Sequence, residues 1–323
     1  MPNHPAPKIR NFLGWRIASL MFLGLGTAPA AGGPAINQFE LKDLESAPGY
    51  RQFQSQNAWS SGQPSREAAV NGAGEQVFDD NSVARQREAL EMEMGLAAWL
   101  KFRIGIEFEE ERLDDPLSMS EVNDFESLKL TEMGGEIIAV LVPRKGNGFG
   151  LGFVTEVERP LQRGEQMQLN TGPIIEWASG AWSATLVPTV VQYFGGDPNE
   201  EGQRDNKRDF AYAVQAMYTT SPAWAFALEA YGTLDRIGDN GNATASQRLL
   251  GEHDQHRIGP VIYITRPVTT LSAGAIESRQ AGNLEKMESD DDGSTMTVGL
   301  GYFAGLNSAT PSSTLKLSVE LDF

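Results

Sequence analysis

Cysteine is absent from all 323 residues, which excludes disulfides and thiolate chemistry. Histidine is nearly absent, at three residues, which leaves few groups for metal ligation or general-base work near neutral pH. Basic residues are scarce: 26 Lys and Arg face 43 Asp and Glu. Such a balance argues against nucleic acid as a partner, because binding phosphates needs a basic footprint. Long apolar runs are missing too. Beyond residue 30 no stretch reaches the roughly 20 apolar residues of a helix that crosses a bilayer, and mean hydropathy is −0.32. No G-x-S-x-G, P-loop or zinc motif occurs, so neither an enzyme nor a resident cofactor is expected. Turn formers are plentiful by contrast, with 34 Gly and 17 Pro.

The first thirty residues differ from the rest. They hold Lys8, Arg10 and Arg16 and no acid, then the apolar run Ile17 to Gly26, then Ala28 and Ala30 in an A-x-A arrangement. A basic region, a short apolar region and a small-residue site read as a cleavable secretory leader over 1–30. The run is too short for a membrane anchor. Without a cysteine near the site a lipoprotein anchor is excluded, and Lys8-Ile9-Arg10 offers no twin arginine. Loss of the leader would leave 23 Lys and Arg against 43 Asp and Glu. The Gly/Ala/Pro-rich and mixed stretch 31–48 is expected to be a periplasmic lead-in, and 49–323 the folded body.

That body is written in period two. Leu315, Leu317, Val319, Leu321 and Phe323 alternate with Thr314, Lys316, Ser318, Glu320 and Asp322. Leu100, Phe102, Ile104, Ile106 and Phe108 alternate with Lys101, Arg103, Glu107 and Glu109. Strict alternation gives a strand one apolar and one polar face, whereas helical spacing would scatter the same residues around an axis. The pattern predicts strands near 50–60, 89–97, 99–109, 125–142, 149–157, 167–177, 182–194, 209–218, 224–234, 256–265, 270–279, 296–303 and 314–323. Long polar loops near 61–84, 110–124, 195–207, 236–254 and 280–294 interleave with short turns near 97, 144–148, 178–181, 221–223 and 266–269. Trp59, Trp99, Trp177, Trp182 and Trp224 fall at or near strand ends, as do Tyr193 and Phe194. This suits an interfacial aromatic belt, against a background of ordinary strand propensity.

The closing strand resembles the terminal strand of bacterial outer-membrane β-barrels, which typically ends on Phe or Trp and is read by the barrel-assembly machinery. Gly305-Leu-Asn-Ser-Ala-Thr-Pro311 also resembles a turn found before that strand in many proteobacterial barrels, including those linked to aromatic-compound degradation. The resemblance implies an all-β fold: a single transmembrane antiparallel up-and-down barrel in the outer membrane of a Gram-negative bacterium. It implies lipid, lipopolysaccharide and the assembly machinery as partners, and Phe323 as the assembly signal. Single-chain bacterial barrels have even strand numbers. Of thirteen candidates the weakest are 50–60 and the region 125–142, and twelve strands are expected.

With the apolar faces on lipid, the alternate positions line the lumen. Glu91, Glu93, Lys101, Arg103, Glu107, Glu156, Glu176, Glu229, Lys316 and Glu320 are the candidate lining residues, with acids in excess. Such a lining either pairs into a filled interior or borders a water path that favours cations and polar neutral solutes. No metal site is expected: His253 and His256 would point to opposite faces of a strand, and Asp290-Asp-Asp-Gly293 lacks the ligand spacing of an EF-hand. The leading expectation is a passive channel or transporter for small solutes. A non-conducting structural or adhesion barrel acting through acidic loops is the alternative, and a soluble periplasmic β-protein a third.

Overall fold

The computed structural model describes residues 39–62, 68–70, 76–78, 82–113, 128–198, 206–237, 254–268, 294–307 and 310–323. The leader expected over 1–30 lies outside them. Twelve antiparallel strands make the wall: β1 (Arg51–Ser61), β4 (Ser82–Ala97), β5 (Leu100–Leu113), β6 (Lys129–Val142), β7 (Gly148–Pro160), β8 (Gln166–Ser179), β9 (Trp182–Gly195), β10 (Arg208–Ser221), β11 (Trp224–Leu234), β12 (Gln255–Pro267), β13 (Thr295–Gly305) and β14 (Ser313–Asp322). Each pairs with its sequence neighbours, and β1 pairs with β14 to close the barrel. Closure leaves no strand edge, the condition for burying backbone polar groups in a bilayer. A short hairpin, β2 (Ala68–Val70) with β3 (Gln76–Phe78), lies in the connection after β1.

Both segments judged weak from sequence are wall strands, as β1 and β6. The surplus candidate is 270–279. The wall passes from β12 directly to β13, and residues 269–293 fall outside those described. The region read as one loop over 61–84 contains β2, β3 and the start of β4. The start of β1, the carboxyl-terminal Phe323 and the turns 98–99, 143–147, 180–181 and 222–223 share one end of the barrel. Val268 and Ser294, which follow β12 and precede β13, lie at the same end, the Val268 N–H donating to the Ser294 carbonyl at 2.7 Å. The opposite strand ends, at Ser61, Leu113, Pro160, Gly195, Leu234 and Gly305, share the other end.

The two faces separate as a period of two requires. On β7, Gly150, Gly152, Val154, Glu156 and Glu158 are buried, while Phe149, Leu151, Phe153 and Val157 are exposed. Exposed apolar side chains recur around the outside: Met92, Ile104, Ile137, Leu186, Leu228, Ile262, Leu300 and Leu315. Trp99, Phe149, Trp177, Trp182, Tyr218 and Trp224 are all exposed near the short-turn end. The Trp182 and Tyr218 rings there stand 4.8 Å apart between centroids. Trp59 stands apart, on β1 near the opposite end.

The inner face is not uniformly polar, as simple alternation would have it. Ile138, Val140, Val154, Ile174, Val187, Ala213, Ala227, Tyr231, Val261 and Phe303 point inward and form an apolar cluster with Phe39 and Leu44. These last two come from residues 39–48. That segment, expected outside the barrel as part of a lead-in, lies inside it.

Candidate functional site: a strapped lumen

Residues 39–48 form a strap across the lumen, held at both ends and in the middle. Near the short-turn end, the Ser46 hydroxyl donates to the Ala97 carbonyl at 2.6 Å. The Leu44 N–H donates to Glu176 at 2.8 Å, and Arg144 grips the other oxygen of that carboxylate at 2.8 Å. Leu44 rests on two inward glycines of β7: a Cβ on Gly152 would stand 2.3 Å from Leu44 Cδ2, and one on Gly150 2.9 Å from Cδ1. A Cβ on Gly95 would meet the Ala47 carbonyl oxygen at 2.1 Å. The wall is therefore hollowed for the strap at three positions where any side chain would collide with it. At the far end, Phe39 packs on Tyr231 and Phe303 with centroids 5.3 and 6.0 Å away, the Arg257 guanidinium covers its ring at 4.7 Å, and Lys316 donates to its carbonyl at 2.6 Å.

Ion pairs hold the middle. Lys42 pairs with Glu136, with Glu40 at 3.2 Å and with Glu156 at 3.5 Å. Arg103 pairs with Glu40, with Glu93 at 2.7 Å and with Glu91 at 3.5 Å. Lys101 sits between Glu93 and Asp43, 2.8 Å from each. Burial alone would lower the Lys42 pKa, but Glu136 and Glu156 outweigh it and hold the ammonium above the ordinary lysine range. A charge taken out of water is tolerated only when paired in this way.

All ten candidate lining residues face inward, but they divide into separate groups. Glu91, Glu93, Lys101, Arg103 and Glu156 belong to the ionic cluster around the strap. Glu107 borders the same cluster on β5. Glu176 anchors Leu44 and Arg144. Glu229 and Lys316 lie across the lumen in a second network, 3.2 Å apart. There the Glu229 carboxylate also accepts from Gln215 at 2.8 Å, from Tyr231 at 2.5 Å and from Tyr263. Glu320 is half-buried beside the Asp322 end of β14. Phe323 is exposed next to β1, its N–H donating to the Arg51 carbonyl at 2.9 Å.

Sequence reasoning did not single out Lys42, Glu40, Glu136, Glu158 or the inward glycines. Glu158 was legible in principle, since it shares the parity of the candidate Glu156 on β7. His253 lies outside the described residues, as does Asp290-Asp-Asp292. His256 is buried, with Nδ1 2.9 Å from the Tyr212 hydroxyl and its backbone N–H on Thr310 at 2.8 Å. Among the described residues no group of three or more His, Asp or Glu side chains is placed to hold a metal ion.

A closed wall, an apolar exterior ringed by aromatics at one end and a charged interior together specify the architecture. The chain has the fold of an outer-membrane channel barrel. It is similar in structure to an outer membrane channel from Pseudomonas putida F1, with a TM-score of 0.55 over 88% of this chain and 99% of that one, at 13% identity. It also matches the NanC porin, at a TM-score of 0.45 and 7% identity over 84% of this chain and 98% of that one. The KdgM porin matches at 0.40 and 8%, over 84% and 99%. The last two likenesses are too distant to carry an argument, and at 13% identity the first speaks to the fold alone. No protein-family model matches the chain, and neither does any curated protein.

Proposed function

We propose that this barrel sits in the outer membrane of a Gram-negative bacterium, after removal of residues 1–30, and passes small solutes through an acid-rich lumen. The observation that carries this reading is the reversal of faces around a closed wall: apolar residues outside, carboxylates inside. Carboxylates outnumber bases on the β4–β8 side, so the path favours cations and polar neutral solutes over anions. Lipid and lipopolysaccharide would meet the exterior, and the barrel-assembly machinery would read the strand ending at Phe323. We infer no catalytic role.

The strap supports a second reading. A segment touching β4–β8 on one side and β11, β13 and β14 on the other fills much of the lumen, as suits a non-conducting structural or adhesion barrel. Planar-bilayer recording of the refolded protein separates the two. Discrete current steps are expected for the channel, and their consistent absence would favour the structural barrel. Fractionation with and without detergent tests the location: recovery in the soluble pool without detergent would overturn it.

A further inference from the structure

Isolated threonines aside, the apolar exterior is interrupted at one place away from the strand ends, where β1 meets β4. On β1, Gln52, Gln56 and Ala58 are buried toward the lumen, so Phe53, Ser55, Asn57 and Trp59 point outward. The neighbouring β14 is apolar outside: Val319 stands beside Ser55 and Leu317 beside Asn57. The other neighbour, β4, is not. Leu90 stands beside Ser55, but Glu88 stands beside Asn57, and Phe108 of β5 follows Glu88. Ser55, Asn57 and Glu88 thus form a polar patch bordered by Phe53, Leu90, Phe108 and Leu317. Ser55 and Asn57 lie inside the level of Trp59, within the depth that Leu315 to Leu321 span on β14.

The hydrogen bonding of this patch is unfinished. Asn57 Nδ2 donates to Ser55 Oγ at 3.2 Å, which leaves its second amide hydrogen and its carbonyl oxygen without partners among the described residues. Glu88 has neither a hydrogen bond nor a neighbouring charge among them. It is also the one carboxylate among the described residues on the outward side of the wall. Lipid tails offer no partner to such groups, and polar side chains facing them are costly unless paired. An anionic headgroup is a poor match, because the patch holds a carboxylate and no base. A second copy of the same patch is a good match, because the patch carries donors and acceptors together. A twofold axis along the membrane normal, passing between β1 and β4, sets Asn57 of each copy opposite Glu88 of the other. With neighbouring strands about 4.8 Å apart, both contacts form at once, as a self-complementary interface requires. Polar side chains join membrane helices in the same way, and here the apolar border would pack around the pair.

We propose that the outer face of β1 and β4 is the interface of a homodimer, with Asn57 donating to Glu88 across the axis. This goes beyond the solute path and needs only that the exterior meets lipid, which fractionation tests separately. The chain has no cysteine, so Ser55→Cys supplies a single thiol. A short bifunctional maleimide applied to this variant of the full barrel, refolded in phospholipid vesicles, should yield a covalent dimer. Thr155→Cys, exposed on the outside of β7, should yield none. Adding Asn57→Leu and Glu88→Leu to Ser55→Cys should demand at least tenfold more protein per lipid for the same yield, equivalent to about 1.4 kcal/mol. Apolar side chains suit a lipid-facing wall, so strand content by circular dichroism should be unchanged. No cross-link from Ser55→Cys, an equal yield from Thr155→Cys, or indifference to the double leucine change would each overturn the interface. So would a monomer whose Asn57 and Glu88 retain lipopolysaccharide that the double variant loses, which would assign the patch to lipid.

Discussion

At the scale of single residues, the interior turns on contacts between the strap and the wall. Gly152 is the sharpest. An alanine there must push Leu44 aside, with a Cβ 2.3 Å from its methyl, and overpacking of this kind costs about 1–3 kcal/mol. G152A is expected to loosen the strap, seen as faster proteolysis between residues 39 and 48 and a lower melting temperature. L44A added to G152A should recover part of the loss. Lys42 is the second test. K42M removes the ammonium shared by Glu136 and Glu156 and leaves Glu136 only the more distant Arg103 at 3.8 Å; breaking a buried pair from one side costs about 3–5 kcal/mol. Chemical denaturation of K42M should show a loss of that size, and an unchanged midpoint would contradict the pairing. Little of this was legible in the sequence. Phe39-Glu-Leu-Lys-Asp-Leu44 is too short to show a period and follows a Gly/Ala/Pro-rich stretch. Its partners Glu136, Glu156 and Glu176 are far away in the chain, joined only once the wall closes.

At the scale of elements, the period of two governs, and here the sequence spoke clearly. The β5 and β14 alternations are strict because one face meets apolar surroundings and the other a charged interior. Exposed Leu300 on β13 and Ile262 on β12 are neighbours in register. Arginine at either should cost about 2–4 kcal/mol if the position lies near the bilayer midplane. Folding titrations into lipid vesicles would measure that, and a loss seen equally in detergent would argue against lipid contact. The same rule misled in two places. The wall passes from β12 to β13 without the stretch 270–279, which lies outside the described residues. Along β6 and β8, Ile138, Val140 and Ile174 point inward although they are apolar. Periodicity sorts residues into two faces but cannot say that the inner face will meet Phe39 and Leu44 and so tolerate hydrocarbon.

At the scale of the molecule, the barrel is closed without an edge, carries charged and apolar patches side by side on its inner face, and is crossed by residues 39–48 of its own chain. The strap meets both kinds of surface: Lys42 and Glu40 meet the charged side chains, and the Phe39 ring the apolar cluster. Removing residues 39–48 is expected to raise unit conductance severalfold while the wall, whose hydrogen bonds run between neighbouring strands, keeps its strand content by circular dichroism. The central claim is that the lumen is a path set by its carboxylates. Its most direct test is the reversal potential of the reconstituted full barrel across a potassium chloride gradient. A potential displaced toward that of potassium is predicted, shrinking when Glu132 and Glu158 are both changed to Gln. A potential displaced toward that of chloride, or a bilayer that stays silent with and without the strap, would contradict it.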